Sequence, residues 1–223
     1  MNPKIFILLP VFNRKKITTN FIECLKLQTY KNFHLVLIDD GSTDGTSDQI
    51  RGLLPSNQLT IISGSGDWWW AKSLQKGIDF LHTLPDLNDF DVILFINDDV
   101  EFNELFLENS LNFLVKKPNT LLLAQNYDKI KKEISETGIK INFLTFKFES
   151  AKNPSLINCL STRGLFMRWC DCKKIGDFKP SILPHYFSDY EYTYRAFNKG
   201  FKLITTTEVF LTSLVQETGF HAP

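Results

Sequence analysis

The chain has 223 residues and equal numbers of basic and acidic side chains, 25 of each, so it lacks the positive charge that marks proteins binding nucleic acid in bulk. Hydrophobic residues make up 43% and charged residues 22% of the sequence, a globular composition that excludes a disordered or low-complexity chain. This length suits one α/β domain with a substantial core, and 20 phenylalanines make apolar contact surface plentiful.

The start of the chain and its cysteines indicate an intracellular protein. The apolar run after Lys4 is about six residues long, far below the length of a secretory signal or a membrane span. The four cysteines form no CxxC pair and do not match the spacing of a zinc site. We therefore expect a cytoplasmic protein whose thiols form no disulfides.

The first residues predict a βαβ unit. An apolar strand over residues 4–9 is followed by Asn13, which we interpret as the N-cap of a helix over 14–29. The apolar positions of this helix follow an amphipathic spacing, so it should pack on a sheet. A second strand over 34–38 completes a unit that is nearly always right-handed, with parallel strands.

An acidic loop follows the second strand. Residues 39–46 read Asp-Asp-Gly-Ser-Thr-Asp-Gly-Thr, a stretch that turns sharply and offers hydrogen-bonding groups to a ligand. The same residues also predict a turn in which Ser42 or Asp44 caps a helix reaching about residue 53. Neither the dinucleotide fingerprint GxGxxG nor the P-loop motif occurs. A third short strand is expected at 59–62.

Three tryptophans follow a flexible loop at 63–67. Trp70 shares a helical face with apolar residues further along, which predicts a core position. Trp68 and Trp69 lie at the mouth of that helix, where they could stack on a sugar or a base. Lys72 could reach a phosphate, or it could be a solvated helix lysine.

Two adjacent carboxylates follow the apolar strand predicted at 92–96. Ligands bind outside the carboxyl ends of the strands in open α/β sheets, so Asp98 and Asp99 should lie at the mouth of a site. Their oxygens suit Mg²⁺ or Mn²⁺, cations that commonly bridge to nucleotide phosphates. The alternative is a solvated loop whose acids cap a helix beginning near Asn103.

The pattern changes in the second half of the chain. After a strand at 120–124, apolar residues alternate from Ile139 to Phe148 with a shift in register, which predicts antiparallel strands with a turn or a bulge between them. An apolar stretch at 160–167 is consistent with a strand entering the site. We expect this α+β material to join the edge of the parallel sheet and to form one wall of a cleft.

A helix beginning near residues 187–191 carries a further acid. Ser188 and Glu191 have the spacing of a capping box, and Glu191 can also pair with Arg195 one turn later. Asp189 lies in the first turn, where the helix dipole stabilises an anion, and it has no comparable structural role. Asp189 is therefore the better candidate for a chemical role.

Four stretches together resemble the family 2 glycosyltransferases of GT-A fold. They are residues 10–14 (Pro-Val-Phe-Asn-Arg), 39–46, 97–100 (Asn-Asp-Asp-Val) and 188–191 (Ser-Asp-Tyr-Glu). The resemblance implies an α/β fold with a Rossmann-like mixed sheet, mainly parallel in its first half, with antiparallel additions in the second half and helices on both faces. It implies a single domain over 1–223, with a nucleotide-sugar-binding half at 1–125 and an acceptor-binding half at 126–223.

The same resemblance implies an inverting transfer of a sugar from a nucleotide diphosphate sugar to a hydroxyl group of a glycan or a lipid-linked acceptor. The family's usual range suggests a role in bacterial cell-surface polysaccharide synthesis. Pro10, Phe12 and Asn13 would then line the nucleotide pocket. Asp40 would accept a hydrogen bond from the base, and Asp39 would support its loop.

Further site roles follow from the resemblance. The Asn-Asp-Asp stretch matches the family's DxD-type element, with Asp98 near the ribose and diphosphate and Asp99 as the direct ligand of Mg²⁺ or Mn²⁺. The region that holds Trp69 and Lys72 matches the loop and helix that approach the sugar-diphosphate. Asp189 falls on the general-base position.

The chain departs from the family's pattern in two places. Ser188 replaces the first acid of the stretch that holds the base and Glu191 replaces the last, which leaves Glu191 as the alternative base. Many relatives carry a histidine after the last strand that completes the metal site, but residues 209–211 contain none. His221 could curl back to the metal, or it could lie exposed near the terminus.

Two other function classes stay open. A nucleotidyltransferase usually needs a glycine-rich, basic loop after its first strand, and residues 10–16 contain no glycine. A catalytically silent sugar-nucleotide or glycan-binding module would fit the departures from the family pattern. The aromatic-rich second half could face a lipid-linked acceptor at the inner face of a membrane, although no basic amphipathic helix supports a peripheral membrane contact. We expect no nucleic-acid partner.

Overall fold

The computed structural model describes residues 2–128, 133–142, 144–145, 147–151 and 153–214. Its strands are β1 (Ile5–Val11), β2 (Phe33–Asp39), β3 (Leu59–Ser63), β4 (Val92–Phe95), β5 (Val100–Glu101), β6 (Thr120–Asp128), β7 (Glu133–Glu136), β8 (Ile139–Asn142), β9 (Lys147–Ser150), β10 (Leu165–Arg168) and β11 (Lys202–Ser213). Its α-helices are α1 (Lys15–Lys26), α2 (Thr46–Arg51), α3 (Trp69–His82), α4 (Phe106–Val115), α5 (Trp169–Ile175) and α6 (Ser188–Asn198). Phe143, Phe146 and His221 lie outside the described residues.

Most strands form one mixed sheet in the order β3-β2-β1-β4-β10-β6-β11-β5, with β7 paired to β6. β1 pairs in parallel with β2 and β4, and β6 pairs in parallel with β11. β10 runs antiparallel between β4 and β6, so the second half joins the sheet at β4. This arrangement confirms the predicted mixed α/β fold. The predicted antiparallel strands after Ile139 are β8 and β9, which form a separate pair.

Helices cover both faces of the sheet because the central strands are apolar on both sides. Ile5, Ile7 and Leu9 of β1 enter the core layer that also contains α1, α2 and α4. The alternate residues, Phe6 and Leu8, enter the layer that contains α3, α5 and α6. The two layers hold the parallel strands rigidly and thereby position the loops at their carboxyl ends.

The prediction of Asn13 as a helix N-cap is wrong. Arg14 occupies the cap position of α1, and the side-chain oxygen of Asn13 accepts a 2.7 Å hydrogen bond from the amide of Thr43. The backbone of Asn13 is in the left-handed region, with φ of +51°, a conformation that asparagine tolerates better than most residues. A tertiary partner thus replaces the local one, and the loop after β1 is tied to the loop after β2.

The prediction of a capping box at the start of α6 is also wrong. Ser188 is the first residue of the helix, after Phe187 in the left-handed region (φ of +64°), and its hydroxyl donates a 2.6 Å hydrogen bond to the carbonyl of His185. The predicted pair of Glu191 and Arg195 is confirmed, with 2.9 Å between Oε1 and Nε.

The cap of α2 also differs from the prediction. Gly45, with φ of +82°, occupies the cap position, so the N-cap residue is neither Ser42 nor Asp44. The carboxylate of Asp44 accepts 2.9 Å hydrogen bonds from the amides of Thr46 and Lys15. The acidic loop is therefore fastened to the start of α1 rather than to its own helix alone.

All four cysteines fall within the described residues and are free thiols, and Cys159 and Cys172 are buried.

Among the helices described, none combines the length and the hydropathy that a bilayer span requires.

Candidate functional site

A cavity of about 490 Å³ lies at the carboxyl ends of the central strands. Its wall takes side chains from the loop after β1, the end of β2, the start of α3, the loop after β4, the turn before β10 and the segment before α6. Because β1, β2 and β4 are adjacent and parallel, their carboxyl ends meet at this edge of the sheet. The residues predicted from the sequence that line this cavity are Pro10, Phe12, Asp40, Trp69, Asp98 and Asp99.

The two acids after β4 are buried and held unequally. Oδ2 of Asp98 accepts a 2.8 Å hydrogen bond from Thr18, and Oδ1 lies 2.8 Å from Nε of Arg14. Burial raises the pKa of Asp98, whereas the charge of Arg14 and the hydrogen bond from Thr18 act to lower it. Asp99 has weaker support, because Nη2 of Arg14 lies 3.5 Å from its Oδ2, and its buried Oδ1 accepts no hydrogen bond from any described residue.

The unpartnered oxygen of Asp99 fits a divalent cation that reaches the site together with a ligand. Groups of three or more histidine, cysteine, aspartate or glutamate side chains able to hold a metal do not occur within the described ranges. Mg²⁺ is usually bound through one or two carboxylates together with substrate phosphates, and Asp99, with Asp98 beside it, has the chemistry of such a site. At residues 209–211, which lack the histidine of many relatives, the side chains of Val209 and Leu211 are fully buried and apolar.

The side chain of Asp40 holds the loop at 63–67, called the glycine loop below, at the cavity. Its Oδ1 accepts a 2.8 Å hydrogen bond from the amide of Gly66, and its Oδ2 accepts a 2.7 Å bond from the amide of Trp68. Asp39 lies outside the cavity, where Oδ1 accepts a 2.8 Å bond from the amide of Ser42 and Oδ2 accepts a bond from the hydroxyl of Ser47. Asp40 still has lone pairs for a ligand, since a carboxylate accepts about four hydrogen bonds.

Asn13 does not line the cavity. It lies in an open groove of about 640 Å³ between α1 and the acidic loop, together with Lys15 and Asp44. Its neighbour Phe12 lines the cavity with 51% of its surface exposed. The loop after β1 thus presents an aromatic ring to the cavity, while the side chain of Asn13 fastens the loop.

An aromatic wall, formed by Trp69, His185 and Tyr186, lines the same cavity as the two acids after β4. Trp69 is 62% exposed and has φ of +56°, a strained conformation for a bulky residue. Its ring makes a T-shaped contact with the ring of His185, at a centroid distance of 5.5 Å, and the rings of His185 and Tyr186 have a centroid distance of 4.4 Å. Burial lowers the pKa of His185, so its imidazole is neutral at pH 7. Strained exposed residues of this kind concentrate at functional sites.

The other two α3 residues singled out from the sequence occupy different positions. Trp70 packs against the core, as predicted, but it also lines the cavity, and its Nε1 donates a 2.9 Å hydrogen bond to the hydroxyl of Thr162. Lys72 is not part of the cavity wall. Its ammonium group lies 3.6 Å from Asp67 and over the ring of Trp68.

Asp189 is not among the residues that line the cavity. It is half-buried in the first turn of α6, directly after the segment that carries His185 and Tyr186, and its Oδ1 accepts a 2.9 Å hydrogen bond from the amide of Tyr190. Together with burial, which is the larger cause, the charge of Asp189 raises the pKa of Cys159 to about 12.

Glu191 has structural partners. Its oxygens accept two 2.9 Å hydrogen bonds from Arg195, and Nζ of Lys179 lies 3.1 Å from Oε1. Burial acts to raise the pKa of Glu191, but these two cations hold it below the ordinary value. The carboxylate of Glu191 is therefore engaged in holding α6 to the loop before it.

The cavity wall contains residues that the sequence alone did not identify. They are Arg14, Arg163, His185 and Tyr186. Each lies next to a recognisable motif or strand, but none belongs to a spacing pattern that predicts a ligand contact. A signal was available only for Arg14, which ends the Pro-Val-Phe-Asn-Arg stretch.

Comparisons with known proteins point to one family. A family model described as glycosyl transferase family 2 matches residues 6–173. An uncharacterized glycosyltransferase of Haemophilus influenzae is 28% identical over 152 residues, which cover 64% of this chain and 56% of that protein. The match covers 8% of the length of an uncharacterized glycosyltransferase of Rickettsia felis. The chain thus spans only part of the length of these curated relatives.

Solved structures share the fold at low sequence identity. A mannosyltransferase from Pyrobaculum calidifontis, in complex with GDP-Man and Mn²⁺, matches with a TM-score of 0.73 and 16% identity, covering 99% of this chain and 59% of that one. TarS from S. aureus, in complex with UDP-GlcNAc, matches with a TM-score of 0.66 and 18% identity, covering 94% and 58%. These similarities show the GT-A fold.

Proposed function

The chain belongs to glycosyl transferase family 2, and from that membership we propose that it transfers a sugar from a nucleotide diphosphate sugar to a hydroxyl group of a glycan or a lipid-linked acceptor. The observation that carries the proposal is that Asp40, Asp98 and Asp99 line one cavity together with an aromatic wall. Such a cavity combines carboxylates for a nucleotide and a metal with ring faces for a sugar.

We assign the donor's base to the end of the cavity formed by Phe12 and Asp40. The exposed ring of Phe12 offers a stacking surface. The oxygens of Asp40 can accept a hydrogen bond from an N–H group of the base while keeping their bonds to the glycine loop. Pro10 completes this part of the wall, and Asp39 and Asn13 act through the loops they fasten.

We assign Mg²⁺ or Mn²⁺ to Asp99, with Asp98 beside it near the ribose and the diphosphate. The unpartnered Oδ1 of Asp99 supports this assignment, as does the Mn²⁺ in the structure of the Pyrobaculum mannosyltransferase. The cation, when bound, acts as a Lewis acid that neutralises charge on the leaving diphosphate. Lys72, which contacts Asp67 in this structure, could reach the diphosphate only by leaving that contact.

The proposed reaction is a single displacement that inverts the sugar. Asp189 takes the proton from the acceptor hydroxyl while that oxygen forms a bond to the anomeric carbon. The bond from this carbon to the diphosphate oxygen breaks, and its electron pair leaves with the diphosphate. The position of Asp189 beside the segment with His185 and Tyr186 supports its role as the base. Glu191 is the weaker candidate because Arg195 and Lys179 engage its carboxylate.

We assign the sugar end of the cavity to Trp69, His185 and Tyr186. Aromatic faces suit the apolar face of a pyranose ring, and the neutral imidazole of His185 can exchange hydrogen bonds with hydroxyl groups. A role in bacterial cell-surface polysaccharide synthesis and a location in the cytoplasm or at the inner face of the membrane stay predictions from the sequence.

Calorimetry with a panel of nucleoside diphosphates tests the proposal. Each is titrated with Mn²⁺, with Mg²⁺ and with a chelator, and the matching nucleotide sugar is then incubated with the protein while release of the nucleoside diphosphate is followed. We expect one base to bind in a metal-dependent way and its sugar donor to be turned over. Binding without turnover under any acceptor would favour the catalytically silent module, and no binding at all would contradict both functions.

A further inference from the structure

Two arginines line the cavity, and they are in different electrostatic situations. Arg14 is neutralised, because its guanidinium lies 2.8 Å from Asp98 and 3.5 Å from Asp99. Arg163 has no carboxylate within ion-pair distance in the part of the chain that the structure describes. Its Nη1 donates a 3.2 Å hydrogen bond to the neutral hydroxyl of Ser213. A guanidinium has five N–H donors, so most of those of Arg163 remain available to a ligand.

The backbone on both sides of Arg163 is fixed. The amide of Gly164 donates a 3.0 Å hydrogen bond to the carbonyl of Phe95 at the end of β4, and its carbonyl accepts a 2.9 Å bond from the amide of Ala124 on β6. On the other side, the hydroxyl of Thr162 accepts a 2.9 Å bond from an indole of α3. The side chain of Arg163 therefore starts from a rigid turn that is tied to three neighbouring elements.

The charges of the cavity favour a cation that the protein itself supplies. Asp40, Asp98 and Asp99 contribute three carboxylates to the wall, against the guanidinium groups of Arg14 and Arg163. An incoming diphosphate would be repelled by these carboxylates unless positive charge is available to it. A guanidinium is suited to this task, because its planar donors match two phosphate oxygens at once.

We propose that Arg163 binds the diphosphate of the donor and stabilises the negative charge that develops there as the bond to the sugar breaks. This inference rests on the proposed function and adds a residue to it. In this role Arg163 acts on the leaving group, opposite the proton transfer at the acceptor, and a fixed cation of this kind needs no reorganisation when the charge develops. The contact is made by the protein itself, so it persists when no metal is bound.

The test compares a nucleoside diphosphate with its nucleoside. Calorimetry is carried out on the wild type, Arg163→Met, Arg163→Lys and Lys202→Met, each with Mn²⁺ and with EDTA. Lys202 is the matched control for the loss of one positive charge, because it is exposed at the first residue of β11, at the opposite edge of the sheet. The ligand pair is the nucleoside diphosphate that binds the wild type most tightly and the corresponding nucleoside, measured by competition.

We expect Arg163→Met to weaken binding of the nucleoside diphosphate by about 10- to 100-fold, both with and without Mn²⁺. This fold-change corresponds to the free energy of hydrogen bonds to charged groups. Binding of the nucleoside should not change. Arg163→Lys should lose part of the affinity, since a point charge cannot make the paired contact, and Lys202→Met should bind as the wild type does. Thermal unfolding of each variant checks the fold. Arg163→Gln, which can keep a hydrogen bond to Ser213, replaces Arg163→Met if that variant unfolds.

Equal affinity of wild type and Arg163→Met for the nucleoside diphosphate would overturn the inference and leave the proposed function standing. A parallel loss of nucleoside binding would also overturn it, because Arg163 would then only shape the cavity. If the wild type binds no nucleoside diphosphate of any base, the proposed function fails, and the inference fails with it.

Discussion

The indole Nε1 of Trp70 donates a 2.9 Å hydrogen bond to the hydroxyl of Thr162, which lies 92 residues further along the chain. The bond joins the start of α3, where Trp69 forms the aromatic wall, to the turn that carries Arg163. Trp70 is half-buried and also packs against the core below. One side chain thus anchors the aromatic wall and the arginine turn to the same core layer.

Replacing this indole should loosen the turn. Trp70→Phe removes the donor and leaves the buried hydroxyl of Thr162 without it, so we expect the free energy of unfolding to fall by about 1 to 3 kcal/mol. Urea denaturation measures the change. Trp70→Phe, Thr162→Val and the double variant form a cycle, and a coupling energy near zero would show that the hydrogen bond contributes nothing to stability.

Asp99→Asn should abolish the metal-dependent part of nucleoside diphosphate binding. The variant keeps the volume of the side chain but removes the charge that attracts a divalent cation. We expect the gain in nucleoside diphosphate affinity on adding Mn²⁺ to disappear, while affinity in the presence of EDTA is retained. The matched control is Asp79→Asn, an exposed acid on the outer side of α3. A gain from Mn²⁺ that survives in Asp99→Asn would contradict the assignment of the metal to this residue.

Asp189→Asn tests the proposed base. Loss of a positioned general base typically lowers the rate about 10²- to 10⁴-fold, and binding of the nucleoside diphosphate should not change because Asp189 lies outside the cavity wall. Release of the nucleoside diphosphate from the donor in the presence of acceptor gives kcat, and calorimetry gives the affinity. A rate equal to that of the wild type would exclude Asp189 as the base.

Glu191→Gln is the companion variant, and we expect the opposite pattern. It breaks the paired hydrogen bonds to Arg195 and the contact with Lys179, which should lower the free energy of unfolding by about 1 kcal/mol for a partly exposed pair. The rate per folded molecule should stay close to that of the wild type. A large loss of rate with unchanged stability would instead make Glu191 the base.

Stability should depend on pH through His34. Burial is the main cause that lowers the pKa of His34 below its ordinary value of 6.5. The charge of Lys4 also lowers this pKa, whereas the hydrogen bond with the Asn57 carbonyl acts to raise it. The unfolded chain therefore binds the proton at a higher pH than the folded protein does. The free energy of unfolding should be highest above pH 6.5, fall as the pH drops through that value, and level off below the pKa of the folded state.

Urea unfolding of the wild type and His34→Gln between about pH 5 and 8 measures this slope, in the range where histidine titrates. The slope should be smaller in the variant. Burial also lowers the pKa of His185, so the remaining slope should shrink again when His185→Gln is added. An unchanged slope in His34→Gln would show that this histidine titrates alike in the folded and unfolded states.

Most strands and helices of the first half were predictable because their apolar periodicity is strong and local. The position of β10 was not, since an apolar stretch at 160–167 carries no information on which two strands it will pair with. Helix caps were predicted less well. Asn13 has the residue type of an N-cap, but a hydrogen bond to Thr43 in another loop satisfies it better.

The candidate site was predictable where acids follow strands. Asp40, Asp98 and Asp99 line the cavity because the carboxyl ends of neighbouring parallel strands meet at one edge. Arg163, His185 and Tyr186 reach it through tertiary structure alone, and no local pattern distinguishes them from surface residues. The family resemblance drawn from four short motifs is confirmed by the family match over residues 6–173.

The reversed direction of β10 has a consequence for how specificity can diversify. Leu165, the first residue of β10, lies beside Phe95 and Leu123, so the segment that enters this strand arrives at the same edge as the segments that leave the parallel strands. Changes in the chain upstream of the turn at 162–164 can therefore remodel one side of the cavity, while the turn itself stays tied to β4, β6 and α3.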